Sequence, residues 1–536
     1  MKEWRINFLS FLIFLFVALI LARLFFLQIS QGDLYKALAL GLHSSLPEVQ
    51  GERGEIFLKS GEALAINKDF FLVFAVPSKI KNPEETAEKL SQILEMKKEV
   101  ILEKFKSDKL YQPIKNRLSQ EEINEIEKEK IAGIFLEKER GRYYPQEKLA
   151  SQVIGFLDAD QKGNYGLEEY YDEILKEGSS LILTVDYPLQ FQAEKLLEKA
   201  KENLEIESGQ IIVIDPYSGK ILTMASLPSF DPNNYSREAA KGLEIFKNKI
   251  TLEIFEPGSV FKSITMSAGL NEGRINPETT FLDTGFVKIG EIPIYNYDNR
   301  VWGQVSMTKV LENSINTGAV FVEKNLPHQI FLDYIQKFGI FKKTGVDLPE
   351  IYSENKEFKK GYEINFATAS FGQGIEMTPL QLVRAYCAIA NGGFLIKPYL
   401  VDKIVERNGE IIDVESEISP GIISPKTASQ LKAMLLSVVE NGYGKGAKIP
   451  GYYIAGKTGT AQISFSSLKI DKEGYSDKTW QTFIGFAPAF NPKLLIMVKL
   501  DNPKTKTAEY SAVPIFRELS EFIIHYYQIP HDYEID

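Results

Sequence analysis

Glu256-Pro-Gly-Ser-Val-Phe-Lys-Ser-Ile-Thr-Met266 is the stretch on which the fold turns. Its Pro-Gly pair ends an irregular segment, and Ser259 falls at the start of an apolar helix. Lys262, three residues on, stands one turn along the same face, within reach of the serine hydroxyl. A serine there gains the helix N-terminal field for developing negative charge, and its own N–H is available to an oxyanion. A lysine works as a base only when burial or neighbouring cations lower its pKa, and the apolar Val260-Phe261 and Ile264-Thr265-Met266 predict a buried setting. Four other Ser-x-x-Lys spacings, at Ser306/Lys309, Ser353/Lys356, Ser429/Lys432 and Ser466/Lys469, lack this Pro-Gly-to-helix context.

Two further short motifs follow in order. Lys-Thr-Gly occurs at Lys343, in a stretch that runs into Pro349 and reads as a connecting loop, and again at Lys457. The second copy, Tyr452-Tyr-Ile-Ala-Gly-Lys457-Thr458-Gly459-Thr460-Ala-Gln462, continues a strand that Thr482 to Ala487 can pair with antiparallel. A strand edge offers N–H groups and hydroxyls in a fixed row. Lys457 is expected to supply positive charge, Thr458 and Thr460 hydroxyl donors for a carboxylate, and Gly459 room for a substrate backbone to approach. Ser-x-Asn occurs at Ser314-Ile-Asn316, where a helix pattern yields to Asn and Gly, and at Ser353-Glu-Asn355, in a charged stretch read as an exposed loop. Taken alone, Ser314 and Asn316 read as a turn or cap pair.

Outward from these motifs, Gln210 to Ala225 forms two apolar runs around an Asp-Pro-x-x-Gly turn, a hairpin signal. Leu181 to Asp186, Tyr452 to Ala455, Thr482 to Ala487 and Leu494 to Leu500 are further strand candidates. Helix patterns cover Tyr187 to Asn203, Ser259 to Glu272 and Thr378 to Asn391. Strands at both ends with helices between imply an α+β domain, in which one sheet is assembled from distant parts of the chain and covered by helices. Ahead of Ser180, Glu48 to Leu58 and Phe70 to Val76 read as strands, and Pro83 to Phe105 and Ser119 to Ile131 as solvated helices resting one face on a small core.

Phe8 to Ile29 is almost wholly apolar, and a helix of about 22 residues reaches roughly 33 Å, enough to span a bilayer. Lys2 and Arg5 precede it, which places the N-terminus in the cytoplasm and the rest outside. Gln28-Ile-Ser-Gln-Gly offers no small-x-small cleavage site, so an uncleaved anchor is expected. Of 536 residues, 44% are hydrophobic and 25% charged, with a formal net charge of −10; that balance argues against tracking nucleic-acid phosphates. The single cysteine, Cys387, excludes an intrachain disulfide and a Cys-rich metal site, and its helical setting reads as core. No metal or cofactor is called for.

Ser259/Lys262, Ser314/Asn316 and Lys457-Thr-Gly459, in that order, resemble the signature of the class B penicillin-binding proteins. Arg53-Gly-Glu-Ile, Arg142-Tyr-Tyr-Pro-Gln, Val153-Ile-Gly-Phe, Gly166-Leu-Glu-Glu-Tyr-Tyr, Asp215-Pro-Tyr-Ser-Gly, Ser370 to Pro379 and Gly485-Phe-Ala-Pro extend the resemblance over nearly the whole chain. It implies a cytoplasmic tail over 1–6, a transmembrane anchor over 7–29 in the cell inner membrane, a non-catalytic pedestal over 30–179 and a transpeptidase domain over 180–536 with a five-stranded antiparallel sheet flanked by helices. It further implies a peptidoglycan D,D-transpeptidase. Ser259 attacks the penultimate D-Ala carbonyl of a stem peptide, Lys262 takes the serine proton, Ser314 relays protons with Lys457, Asn316 binds the stem amide, and the N–H groups of Ser259 and Thr460 hold the oxyanion. β-Lactams are expected to acylate Ser259. Glu256 and the tail after Gly485 resemble the division-type (septal) members.

The chain departs from the family pattern after Gly54-Glu-Ile, where Phe57-Leu-Lys-Ser-Gly61 stands in place of an Asp-Arg-x-Gly turn. No glycosyltransferase-like segment precedes the pedestal, so a glycosyltransferase partner and other division-complex membrane proteins are expected. Elongation-type transpeptidase, D,D-carboxypeptidase and non-catalytic divisome scaffold remain as alternatives. A β-lactamase is disfavoured because no Glu-x-x-Leu-Asn element of the class A kind is found.

Overall fold

The computed structural model describes residues 2–30, 52–240 and 242–534. The chain divides into two compact units, Met1–Glu52 with Asn67–Tyr143, and Arg53–Ile66 with Tyr144–Asp536. The span 30–179, read as pedestal from the sequence, thus contributes to both. Residues 144–179 are bonded into the larger unit: the Tyr144 N–H donates to Asn233 Oδ1 at 3.0 Å and the Ala150 N–H to Glu194 Oε1 at 2.7 Å. Arg53 joins them through Glu168 at 2.6 Å and Asp172 at 2.9 Å.

The N-terminal helix, Lys2–Phe25 with a wider turn over Phe26–Ser30, is the one described helix long and apolar enough to cross a membrane. In the smaller unit the strand ending at Ala75 pairs with Gln112–Lys115 and Ile134–Tyr143, over a core that includes Val73, Leu90, Ile101 and Ile123. The span read as one helix from Pro83 to Phe105 is two, Pro83–Leu94 and Lys98–Phe105, because Glu95 takes a left-handed φ of 52° and stops the first. The helix Gln120–Glu129 opens on a capping box between Ser119 and Glu122, which satisfies two orphan N–H groups. Of the run read as a strand from Glu48 to Leu58, only Ile56–Phe57 is strand, and residues 48–51 lie outside the described residues.

The larger unit is built on a five-stranded antiparallel sheet of β1 (Ser208–Ile214), β2 (Ile221–Leu227), β3 (Ala455–Ser464), β4 (Tyr475–Ala487) and β5 (Leu494–Asp501), in the order β3-β4-β5-β1-β2. Both faces are covered, so the strands read as unbroken apolar runs whose alternate residues enter two different cores. Ile212, Ile214, Leu495 and Met497 face one, while Ile211, Val213, Ile496 and Val498 face the other. Helices α1 (Tyr187–Leu204) and α7 (Ala512–Tyr526) fill the second. The first holds α2 (Lys262–Asn271), α3 (Met307–Glu312), α4 (Asn316–Lys324), α5 (Pro379–Ala390) and α6 (Pro425–Asn441). Every side chain of α2 from Lys262 to Leu270 is buried, so this helix forms the middle of its layer. Cys387 is buried in α5, where burial pushes its thiol pKa up and keeps it unreactive. The order places β3 at the sheet edge, with one side of its backbone unpaired and turned toward the start of α2.

Candidate active site

Ser259 sits in a single 3-10 turn, Gly258–Phe261, that feeds directly into α2. Neighbours pin the turn. The Gly258 N–H donates to Gly372 O at 3.0 Å, and the Tyr386 hydroxyl donates to Val260 O at 2.7 Å. Edge strand β3 presses on it from the sheet: a Cβ on Gly459 would lie 3.0 Å from Pro257 O and 3.1 Å from Val260 Cγ1. The missing side chain at Gly459 therefore admits the nucleophile turn. This packing role comes in addition to the one the sequence suggests for Gly459, the close approach of a substrate backbone.

Lys262 is fully buried, and its Nζ meets four oxygens: Ser314 O at 2.5 Å, Asn316 Oδ1 at 2.8 Å, Ser259 Oγ at 3.1 Å and Ser314 Oγ at 3.2 Å. The Ser314 carbonyl and Asn316 Oδ1 can only accept. They take the two N–H bonds of a neutral amine and leave its lone pair facing the two hydroxyls. Burial first, and then the charge of Lys457, pull the Lys262 pKa well below the lysine range, which favours that neutral form. Asn316 has its amide orientation decided by its partners: Tyr295 O can only receive, and does so from Asn316 Nδ2 at 3.0 Å, which turns Oδ1 toward Lys262.

Ser314 occupies the bend between α3 and α4, with φ +53°. A non-glycine residue in that region is held there by its surroundings, and the bend aims both its carbonyl and its hydroxyl at Lys262. Lys457, also fully buried, reaches Ser314 Oγ at 3.0 Å and Thr458 O at 3.0 Å, and burial holds its pKa down at about 7. Ser259, Lys262, Ser314 and Lys457 thus form one line of hydrogen-bonded groups from a half-exposed hydroxyl to the edge strand, with Asn316 bracing it. Farther along β3, the Thr460 hydroxyl accepts the Ala508 N–H at 3.1 Å and keeps its own hydrogen to donate, while Thr458 is largely buried. The arrangement can move a proton off a serine hydroxyl and offer cationic and hydroxyl groups to an anion lying along β3.

The competing sequence matches have local jobs. The Ser306 hydroxyl caps α3 by accepting the Lys309 N–H, and Lys432 on α6 donates to Ala390 O at 3.3 Å. Lys343-Thr-Gly345 is a loop whose N–H groups bind Glu350. The Ser353–Asn355 segment is also a loop, but its exposed reading is corrected: Asn355 is 5% exposed because its amide pairs with both backbone groups of Glu376. Sequence reasoning missed the Tyr295 carbonyl, which as a backbone group carries no side-chain signal. It also gave no part to Gly372, which it quoted only as one letter of a longer segment.

Residues 209–521 match the penicillin-binding protein transpeptidase domain model, and residues 48–182 the penicillin-binding protein dimerisation domain model. Stage V sporulation protein D of Bacillus subtilis is 31% identical over 518 residues, covering 90% of this chain and 79% of that protein. A peptidoglycan D,D-transpeptidase FtsI homolog of Mesostigma viride is 30% identical over 571 residues, covering 96% and 94%. The crystal structure of penicillin-binding protein 3 from Mycobacterium tuberculosis complexed with aztreonam superposes with a TM-score of 0.71 at 25% identity, over 91% of this chain and 98% of that one. With both domains matched and relatives aligned over nearly its full length, this chain belongs to the class B penicillin-binding proteins, serine-type transpeptidases of peptidoglycan.

Proposed function

We propose that the chain is a membrane-anchored peptidoglycan D,D-transpeptidase of the septal type, with Ser259 as nucleophile and catalytic domain outside the cytoplasmic membrane. The observation that carries this reading is the Lys262 amine, buried, pulled toward neutrality and 3.1 Å from Ser259 Oγ. In the acylation step Ser259 Oγ bonds to the penultimate D-Ala carbonyl carbon while its proton passes to Lys262 Nζ. The oxyanion rests on the N–H groups of Ser259 and Thr460. The C–N bond then breaks, and the leaving D-Ala nitrogen takes a proton through Ser314 from the lysine pair. Lys457, Thr458 and Thr460 hold the terminal carboxylate along β3, and Asn316 uses its second amide hydrogen on the stem peptide. An amine from a neighbouring stem attacks the ester, frees Ser259 and completes the crosslink. β-Lactams enter as mimics of the D-Ala-D-Ala end. Lys2 and Arg5, in the N-terminal helix ahead of its apolar run from Phe8, support a cytoplasmic N-terminus, and Glu256 before Pro-Gly supports the septal assignment.

The test is to incubate the purified chain, wild type and Ser259→Ala, with a fluorescent penicillin and follow gain and loss of label. Slow-decaying label that requires Ser259 is expected. Rapid decay would replace the transpeptidase with a hydrolase, and unlabelled but folded wild type would leave a scaffold. Depletion in cells separates filaments, expected for a septal enzyme, from rounded cells, which would make it an elongation enzyme.

A further inference from the structure

Asp283 ends the strand Thr280–Asp283 and is 2% exposed. Its carboxylate accepts from four neutral donors: Oδ1 from the Gly285 N–H at 3.0 Å and Thr317 Oγ1 at 2.7 Å, Oδ2 from the Trp302 N–H at 2.8 Å, and both oxygens from Asn296 Nδ2 at 2.9 Å. Asn296 Oδ1 in turn accepts the Thr317 N–H at 3.1 Å, which satisfies a first-turn N–H of α4 from outside the helix; the helix's own N-cap residue, Ile315, makes no side-chain cap. The residue before Asn296 is Tyr295, whose carbonyl holds Asn316 Nδ2, and the residue before Thr317 is Asn316 itself. Two adjacent bonds therefore stitch 295–296 to 316–317, and one buried carboxylate grips both sides of the seam. A carboxylate suits this place because four converging donors ask for acceptor capacity on both oxygens, which an amide or hydroxyl does not have.

We propose that Asp283 is a positioning residue for acylation: by holding Asn296 and Thr317 together it keeps Tyr295 O on the Asn316 amide, and so keeps Asn316 Oδ1 on Lys262. The inference rests on the reading of Lys262 as base in an acyl-serine reaction. Asp283 itself touches none of the reacting groups. Asp283→Asn preserves shape but sets an NH2 group against N–H donors, so the seam loosens while the surrounding strands remain.

The experiment is a double-mutant cycle on the full chain in detergent, with Asp283→Asn, Asn316→Ala and the pair. It reads the limiting acylation rate constant k2 and the half-saturating concentration for a fluorescent penicillin, alongside the thermal midpoint. Asp283→Asn is expected to lower k2 about 10- to 100-fold, with the larger share of the loss in k2, and to add less than about threefold once Asn316 is already alanine. Equal losses in both backgrounds, a loss confined to half-saturation, or unchanged k2 would each overturn the proposal. If Asp283→Asn folds poorly, Thr317→Val removes one of the four donors at constant shape. It must then lower k2 in the wild-type background and be silent beside Asn316→Ala, and any other pattern overturns the proposal. Failure of the wild type to acylate at Ser259 would instead remove the reaction on which the inference rests.

Discussion

Gly372→Ala tests how tightly the nucleophile turn is held. Gly372 has φ +83°, and a Cβ built there would lie 2.1 Å from Gly258 O and 2.7 Å from Gly258 N and C. Ordinary contact begins at 3.4 Å, so the backbone immediately before Ser259 must retreat by about 1.3 Å or lose the Gly258 N–H bond to Gly372 O. Displacing a reacting group by ~1 Å costs on the order of 100-fold in rate. The left-handed φ adds about 1–2 kcal/mol against alanine. Gly273→Ala separates the two effects, because Gly273 has φ +65° and open space where its Cβ would go. Stopped-flow acylation by a fluorescent penicillin, read beside the thermal midpoint of each variant, is the assay. Gly273→Ala is expected to lose only the stability that backbone strain costs, while Gly372→Ala loses more and alone loses about 100-fold in acylation. A Gly372→Ala protein that acylates within about threefold of wild type would refute the idea that close packing at Gly258 sets the position of Ser259.

Three other consequences can be checked in the same preparations. Acylation should rise with pH as Lys262 is freed of its proton and fall again as Lys457 loses its own at about 7, giving a bell whose alkaline limb disappears in Lys457→Met; a profile still climbing above pH 9 would contradict the assigned roles. Lys457 has a folded pKa below its ordinary 10.5, so the unfolded chain binds more protons as pH drops from about 10.5 to 7, and the folded state loses stability through that window. Lys457→Met should accordingly raise the thermal midpoint at pH 7 while removing most acylation, the reverse of what a purely structural lysine would do. Arg53→Ala removes a guanidinium that pairs with the fully buried Glu168 and with Asp172, at a cost of about 3–5 kcal/mol, and should lower the midpoint while leaving the acylation rate of the folded fraction unchanged.

The grouping of the candidate site was legible because its members are side chains at fixed spacing: Ser259 and Lys262 one turn apart, and Lys457 inside a run of strand formers. The hairpin Gln210–Ala225 and the helices from Tyr187 and Pro379 were legible for the same reason, local periodicity with clear turn or cap residues. Ile134–Tyr143 was not, since its Glu-Lys-Glu-Arg run masks strand periodicity when one face is solvated. The helix break at Glu95 rests on one residue's φ, which composition does not announce. The packing of Gly459 on the turn that carries Ser259 was not legible, because a strand's two faces look alike until the opposing element is known. The seam around Asp283 was missed for a different reason: Asp283, Asn296 and Thr317 are spread over 35 residues of unremarkable polar sequence, and only the fold brings them together.

The sheet order also governs when the enzyme can come into being. Within the sheet, hairpins β1-β2 and β3-β4 are joined by β5, which is inserted between them and is the last of the five to be made. Ser259 precedes Asp501 by roughly 240 residues, a wait on the order of 10–50 s at ordinary rates of synthesis. During that interval the nucleophile, its lysine and even Lys457 exist in the chain with no closed sheet to set their distances, and β1 presents an unpaired apolar edge. A chain stopped before Leu494 carries Ser259, Lys262, Ser314 and Lys457 without the strand that joins the two hairpins, and is expected to take up fluorescent penicillin no faster than Ser259→Ala. Reactivity toward penicillin is therefore expected to report the docking of β5, and not merely the presence of the site's side chains in the chain.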